Sequence, residues 1–449
     1  MEHRPPVPHS LPRRPGRTVP GVIAAALGAG LALTVGLAVS SESAGALHAP
    51  GGRLTFTGEL TGLVGTYLLL VMLVLIARIP WIERVIGQER LVRWHRWLGP
   101  WPLLLLTTHA VCITLGYAES DHIGAFRQFA EFLGSYPDVL AATVGLALLL
   151  AAGITSYRAV RRRLQHETWW VIHLYTYLAV ALSFSHQLAN GQSFVGHPVT
   201  RAWWVTIWAA AVGCVLAFRI GVPVWRSLYH RLRVVAVVAE GPDTVSIICS
   251  GHRLDRLRAS GGQHFLWRFL TPGLWWHAHP YSLSAMPTPT RLRVTIKGKG
   301  VHSLAAARIR PGTRVAIEGP YGVFTRHAVT AHGVALFGAG VGATPLRALL
   351  EDLPRPVDPV VVLRARRSDE VLFRHEWSEF VEDRGGRFIE LAGPRRDHPL
   401  DPTSIHRLVP DLSSRDVFVC GPPSFTATVT RSARRLGVPR RRIHTEAFS

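Results

Sequence analysis

The chain has 449 residues, of which 48% are hydrophobic, and a formal charge of +21 at pH 7. Arginine supplies nearly all of that charge, since Lys297 and Lys299 are the only lysines among 50 basic residues. The arginines lie beside apolar runs and phosphate-type motifs, which argues against nucleic-acid binding as a main role. The four cysteines (Cys112, Cys214, Cys249, Cys420) are scattered without a CxxC, which argues against a disulfide framework, a zinc site or a chain-borne iron–sulfur cluster.

In chain order, a basic N-terminal segment, 1–19, precedes six runs with about the twenty apolar residues that a bilayer core demands: 20–40, 56–78, 94–117, 137–157, 168–189 and 202–222. Arg4, Arg13, Arg14 and Arg17 precede the first run. Arg84, Arg90, Arg93 and Arg96 precede the third, and Arg158, Arg161, Arg162 and Arg163 follow the fourth. The connection 118–138 carries Glu119, Asp121, Glu131 and Asp138 instead. Positive-inside bias therefore predicts a multi-pass protein of the plasma membrane with both termini cytoplasmic. The first run has a second reading as a signal peptide, with Ala44–Ala49 offering small residues for cleavage.

Ionisable side chains at membrane depth are costly and point to function. His95 and His109 lie 14 positions apart on the third run, and His173 and His186 lie 13 apart on the fifth. With one run between them, those two helices are parallel, so His95 faces His173 near the cytoplasmic side and His109 faces His186 nearer the outside. Imidazoles from opposite sides saturate haem iron axially, which suits electron transfer; a zinc site is the alternative metal reading. Fourteen residues rise about 21 Å, enough to stack two such sites. Thirteen residues leave the second side chain about 140° off the first face, so the fifth helix must tilt or contain a wider turn.

Near residue 230 the pattern changes. Leu232–Ile248 alternates around Glu240-Gly241-Pro242-Asp243, a hairpin signal, and β-like runs follow at Gln263–Phe269 and Arg291–Lys297. A small antiparallel barrel over 230–325 is the expectation. It contains His279-Pro280-Tyr281-Ser282-Leu283-Ser284, then Lys297-Gly298-Lys299-Gly300-Val301-His302-Ser303, then Gly319-Pro320-Tyr321-Gly322.

The last stretch, 326–449, reads as a nucleotide-binding α/β domain. A strand at Gly333–Phe337 runs into Gly338-Ala339-Gly340-Val341-Gly342-Ala343-Thr344-Pro345 and then a helix, an arrangement that aims backbone N–H groups at a diphosphate. A second strand, Val360–Leu363, ends in Arg364-Ala365-Arg366-Arg367. Arginines at that point favour NADPH over NADH through its 2′-phosphate, the alternative being a solvated basic loop. A third strand, Val417–Val419, runs into Cys420-Gly421-Pro422-Pro423, and the chain closes with a helix, a short strand and His444-Thr445-Glu446-Ala447-Phe448-Ser449.

The membrane half resembles the ferric reductase and NADPH oxidase superfamily over about 55–222, on the strength of the four histidines. That resemblance implies two haems b, on His95/His173 and His109/His186. The later motifs, in their order, resemble a ferredoxin–NADP reductase-like module: HPYS and the later glycines for an FAD barrel, GxGxGxTP for the nucleotide domain. The resemblance implies FAD at His279, Pro280, Tyr281 and Ser282, with Tyr281 stacked on the isoalloxazine and Ser282 at its N5 edge. His279 stands where many relatives carry arginine. Gly300 and Ser303 would meet the pyrophosphate. NADPH would lie on Gly338, Gly340, Gly342, Thr344, Pro345, Arg364 and Arg366, with Cys420, Gly421 and Pro422 at the nicotinamide and Cys420 positioning rather than attacking. Phe448 matches the aromatic ring that commonly covers the flavin, although Ser449 follows it.

The implied architecture is a multidomain membrane protein: a six-helix transmembrane bundle, 20–222, an antiparallel β-barrel FAD domain, 230–325, and an α/β NADPH domain, 326–449. The implied activity is that of an NAD(P)H-dependent flavocytochrome passing electrons to oxygen, a ferric or other metal chelate, or another extracytoplasmic acceptor. Two alternatives are a haem-containing electron carrier or redox sensor serving quinone or a partner protein, and a flavin reductase merely anchored in the membrane.

Overall fold

The computed structural model describes residues 18–241, 243–298, 308–355 and 357–447. The chain divides into a helical unit, Arg17–Arg219, and a C-terminal unit from Ile220 onward.

The helical unit runs α1 (Thr18–Ser41), α2 (Ala44–His48), α3 (Gly52–Ile76), α4 (Pro80–Ile86), α5 (Gln88–Leu98), α6 (Pro100–Ser120), α7 (Ala125–Ser135), α8 (Val139–Ser156), α9 (Arg158–Arg161), α10 (His166–Leu182), α11 (Phe184–Asn190) and α12 (Pro198–Val215). Five described runs are long and apolar enough to cross a membrane: Gly21–Ser41, Gly52–Ile76, Arg90–Ser120, Val139–Ser156 and Pro198–His230. The expected fifth span differs, because α10 has 17 residues and ends at Ser183, where α11 begins. The expected third span is likewise two helices, divided at Gly99–Pro100, since proline cannot donate within a helix.

Lipid offers no hydrophobic drive to pair helices, so small residues decide where backbones approach. On α3, Gly58 and Gly62 provide that approach to α6. A Cβ at Gly62 would stand 2.5 Å from His109 Nδ1, and one at Gly58 would stand 2.7 Å from Ile113. Leu63, Leu69, Leu70, Leu149, Trp204 and Trp208 fill the core behind them.

The C-terminal unit begins with α13 (Val222–His230). Strands β1 (Arg233–Gly241) and β2 (Thr244–Ser250) form the expected hairpin, with Gly241 opposite Thr244. They continue to β5 (Arg291–Lys297) in one three-stranded antiparallel sheet; β4 (His279–Ser282), β3 (His264–Phe269) and β6 (Val315–Tyr321) make a second. The sheets share a core of Ile247, Phe265, Trp267, Leu283, Val294 and Ile317. They are open rather than closed into a barrel: among the described residues no continuous ladder joins them, and the isolated bridges Arg233↔Arg314 and Leu283↔Val294 mark where they touch. The His279–Ser282 and Gly319–Tyr321 motifs, turn-like in isolation, are strand segments here, because both edges of β3 need partners.

The rest is a parallel sheet in the order β11-β10-β7-β8-β9, comprising β7 (Gly333–Ala339), β8 (Asp358–Ala365), β9 (Arg387–Ala392), β10 (Asp416–Gly421) and β11 (Ile443–Ala447). Its central strands bury both faces. Val334, Leu336, Phe418 and Cys420 point into one core, while Ala335, Phe337, Val417 and Val419 point into the other. That two-sided burial explains why these strands read as continuous apolar runs. Helices α14 (Ala343–Asp352), α15 (Arg374–Glu382), α16 (Pro402–Leu408) and α17 (Pro423–Arg435) complete the domain.

Candidate functional site

The four intramembrane histidines meet as two pairs. The rings of His95 on α5 and His173 on α10 stand 6.2 Å apart, edge to face. Two metal–imidazole bonds of roughly 2 Å plus two ring radii make up about that separation. His95 Nδ1 faces the Met72 carbonyl at 3.4 Å, and Trp169 stacks on His173 at 5.1 Å. His109 on α6 donates from Nδ1 to the Gly58 carbonyl at 2.7 Å, which turns Nε2 the other way. His109 and His186 line one cavity of about 200 Å³ together with Gly62, Thr66, Tyr117 and Phe132.

A backbone carbonyl on one ring nitrogen is how metal-bound imidazoles are commonly oriented. Among the described residues no three or more His, Cys, Asp or Glu side chains gather as a metal site, so the donors available are histidine pairs. The donor set fits a cofactor that brings its own equatorial ligands, as haem does. The break at Ser183 also answers the phase mismatch of His173 and His186, since helical rotation does not run unbroken between them. A helix interruption takes the place of the expected wider turn. Glu59, which the sequence reading passed over, lines the same cavity and accepts from Ser193 Oγ at 3.2 Å and Gln192 N at 3.3 Å.

In the C-terminal unit, β4 carries the flavin-type motif. The Tyr281 ring lies against His279, 5.9 Å between centroids, and its carbonyl accepts from buried Trp267 Nε1 at 3.1 Å. Burial pushes the Tyr281 phenol up to about 12, so it stays neutral. Ser282 is buried and its hydroxyl reaches Glu446 Oε1 at 3.5 Å, while His264 Nδ1 approaches the same oxygen at 3.4 Å. Sequence reasoning missed His264 and Glu446. Strand register brings them in, His264 opposite Ser282 and Glu446 opposite Cys420. Cys420 is fully buried, and that burial, then the charge of Glu446, holds its thiol well above the ordinary value. A neutral packing residue fits that environment better than a nucleophile. Gly300, Ser303 and Phe448 lie outside the described residues.

The glycine run behaves as a phosphate-type turn. Gly340–Gly342 makes a single 3₁₀ turn into α14, with Gly340 at φ +57°, and Thr344 caps it by donating to the Val341 carbonyl at 2.8 Å. Gly342 has no room for a side chain: a Cβ would meet the Cys420 carbonyl at 2.1 Å. Gly340, Arg364, Arg366, Gly421 and Pro422 all line a cavity of about 1140 Å³, together with Arg395. The two arginines differ within it. The Arg364 guanidinium is committed to the Leu391 and Gly393 carbonyls, both at 2.7 Å, whereas Arg366 is exposed. Arg367 points elsewhere, into a pair with Asp369 at 3.0 Å. Gly338 and Pro345 are packed beneath the turn.

Residues 61–184, which hold all of these histidines except His186, match the family described as ferric reductase like transmembrane component. The chain thus joins a ferric reductase-like transmembrane region to a C-terminal part similar to reductase proteins. It is 31% identical over 229 residues to the ferredoxin reductase component of 3-ketosteroid-9-alpha-monooxygenase from Rhodococcus rhodochrous, covering 49% of this chain and 64% of that protein. It is 23% identical over 310 residues to ferric reduction oxidase 3, mitochondrial, from Arabidopsis thaliana, covering 67% of this chain and 40% of the relative. The chain thus spans less than two thirds of either curated relative. Among solved structures, the flavohem-like FAD/NAD binding domain of nitric oxide dioxygenase from Vibrio cholerae aligns with 49% of this chain and 98% of its own, at 22% identity and a TM-score of 0.40.

Proposed function

We propose that this membrane protein is an NAD(P)H-dependent flavocytochrome that moves electrons from cytoplasmic NADPH to an extracytoplasmic acceptor, oxygen or a ferric or other metal chelate. Its C-terminal unit would hold FAD, and its histidine pairs would hold two haems b. The observation that carries this reading is the presence, in one chain, of two histidine pairs within the helical unit and a Ser282–Glu446–His264 cluster beside the flavin-type tyrosine. A haem carrier or sensor without a nucleotide site would have no use for the second feature.

Bound FAD would take the two electrons of a hydride together and release them singly, and bound haem would relay them. The protein's own residues do the rest. Tyr281 offers a neutral aromatic face. Ser282, His264 and Glu446 fix the polar edge beside it. Backbone N–H groups of the Gly340–Gly342 turn and the α14 N-terminus face a diphosphate, and Arg366 supplies a free cation for a 2′-phosphate. Cys420 and Gly342 hold the nicotinamide wall close to β7. His95 with His173, and His109 with His186, would each hold a haem with two imidazoles, and the haem would supply one-electron transfer.

In this reading α10 with α11 completes a sixth crossing, and both termini face the cytoplasm of a plasma-membrane protein. Single His→Leu changes at His95, His173, His109 and His186 test it. The first two should remove the inner haem and stop transfer beyond FAD while dye reduction by NADPH survives; the last two should remove the outer haem. A pyridine haemochrome assay that finds no haem, or haem indifferent to all four changes, would overturn the proposal.

A further inference from the structure

We infer that one end of the C-terminal unit, built around the β3–β4 loop, docks on the anionic headgroup layer of the bilayer that the helical unit crosses. This rests on the membrane location and needs neither cofactor. The loop presents apolar side chains to solvent: Leu270 is 46% exposed, Trp275 61% and Trp276 47%. Adjacent exposed indoles are costly in water but settle at a membrane interface, where the ring meets apolar chains and the N–H stays hydrated.

Strand pairing surrounds this loop with cations. Leu270 N–H donates to the Arg314 carbonyl at 2.9 Å, Arg314 bridges Arg233, and Val315 N–H donates to the Leu232 carbonyl at 2.9 Å. Three segments therefore share this end: 231–234, 268–278 and 308–315. Together they expose Arg231, Arg233, Arg308, Arg310 and Arg314, and they contain no aspartate or glutamate. Indoles framed by unpaired-sign arginines suit an anionic lipid surface, which attracts basic segments near a membrane.

The chain itself supplies the third argument. It arrives at β1 through α13, a nine-residue helix that continues the apolar run starting at Pro198 and leaves Trp225 59% and Leu228 69% exposed. Arg231 and Arg233 follow that helix directly. Leu232, two residues past that helix, accepts from Val315 at the tryptophan-loop end of β6, so the helix leads the chain to this surface.

The test uses the full chain in bilayers of phosphatidylglycerol mixed with phosphatidylcholine brominated near the headgroup end of its acyl chains. Emission is compared between the wild type and Trp275→Phe/Trp276→Phe, so that the difference isolates two of the 14 tryptophans. Circular dichroism and thermal unfolding, measured for both proteins, control for folding. The difference signal should be quenched by the brominated lipid and protected from acrylamide. Quenching by acrylamide alone would mean that the loop faces water. Protection from both agents would mean that a protein surface, a second copy or a partner, covers it. Either result would overturn the docking proposal without touching the haem assignment.

Discussion

The two units build their sites by opposite means. In the helical unit each histidine pair draws one residue from each of two helices, and at His109 the residues that admit the neighbouring helix, Gly58 and Gly62, contribute no chemistry. In the C-terminal unit the side chains themselves lock the arrangement: Glu376 on α15 accepts from Arg293 on β5 at 2.9 Å and pairs with Arg347 on α14, which also pairs with Glu351. Lipid withholds the hydrophobic drive between helices, so close backbone approach must supply the contact. In water a buried ionic network can fasten the flavin-binding and nucleotide-binding parts of one unit. The lesson is that a glycine change should be the more damaging one in the first unit and a charge change in the second.

Gly62→Leu should have the largest effect. Its Cβ would stand 2.5 Å from His109 Nδ1, and overpacking of this kind costs about 1–3 kcal/mol before any ligand geometry is lost. The outer haem should disappear from the haemochrome assay, with dye reduction by NADPH intact. A variant that retains both haems would show that α3 and α6 can part without cost, and the contrast between units would fail.

Glu376→Ala comes next. It strands Arg293 and leaves Arg347 to Glu351 alone; their side chains are 17% and 6% exposed, and removing one partner of a buried pair costs about 3–5 kcal/mol, less here because Glu376 is itself 27% exposed and Glu351 remains. Thermal unfolding of the C-terminal unit, followed by flavin release, reads this directly. The same network sets a pH dependence. Burial raises the Glu376 carboxyl, but hydrogen bonds and charge from Arg293 and Arg347 outweigh it and hold it below the usual carboxylate value. Its contribution is therefore present above the ordinary carboxylate pKa and is lost as pH falls through the depressed one. Flavin retention in Glu376→Gln should depend less on acid than in the wild type.

Arg366→Ala should raise KM for NADPH by roughly tenfold to hundredfold, the equivalent of about 1.5–3 kcal/mol for a charged hydrogen bond, and leave NADH nearly unchanged. Arg364→Ala should instead impair both nucleotides alike, because its guanidinium holds the Leu391 and Gly393 carbonyls. Steady-state kinetics with both nucleotides separates the two roles; equal NADPH and NADH use by the wild type would remove the specificity argument.

Much of this was legible in one dimension because the relevant periods are short. Apolar runs located α1, α3, α6, α8 and α12, and alternation around Glu240–Asp243 located the β1–β2 hairpin. Strand–glycine–helix order located the turn at Gly340–Gly342. Histidine spacing on two helices was enough to anticipate that His95 would meet His173, since a helix carries position along its axis in fixed steps. Spacing gave no sign of the break at Ser183, which divides α10 from α11 between His173 and His186. Nor could it tell Arg364 from Arg366, because which guanidinium is free depends on carbonyls of β9 and its following loop, 27 and 29 residues away. Glu446 lies furthest beyond sequence reach. It stands 164 residues from Ser282, and only the pairing of β11 with β10, and of β4 with β3, brings the two together. Amino-acid order determined the elements and the chemistry available on each. Tertiary structure decided which of those groups share a site, because register between strands and approach between helices are set by long-range packing that no local spacing encodes.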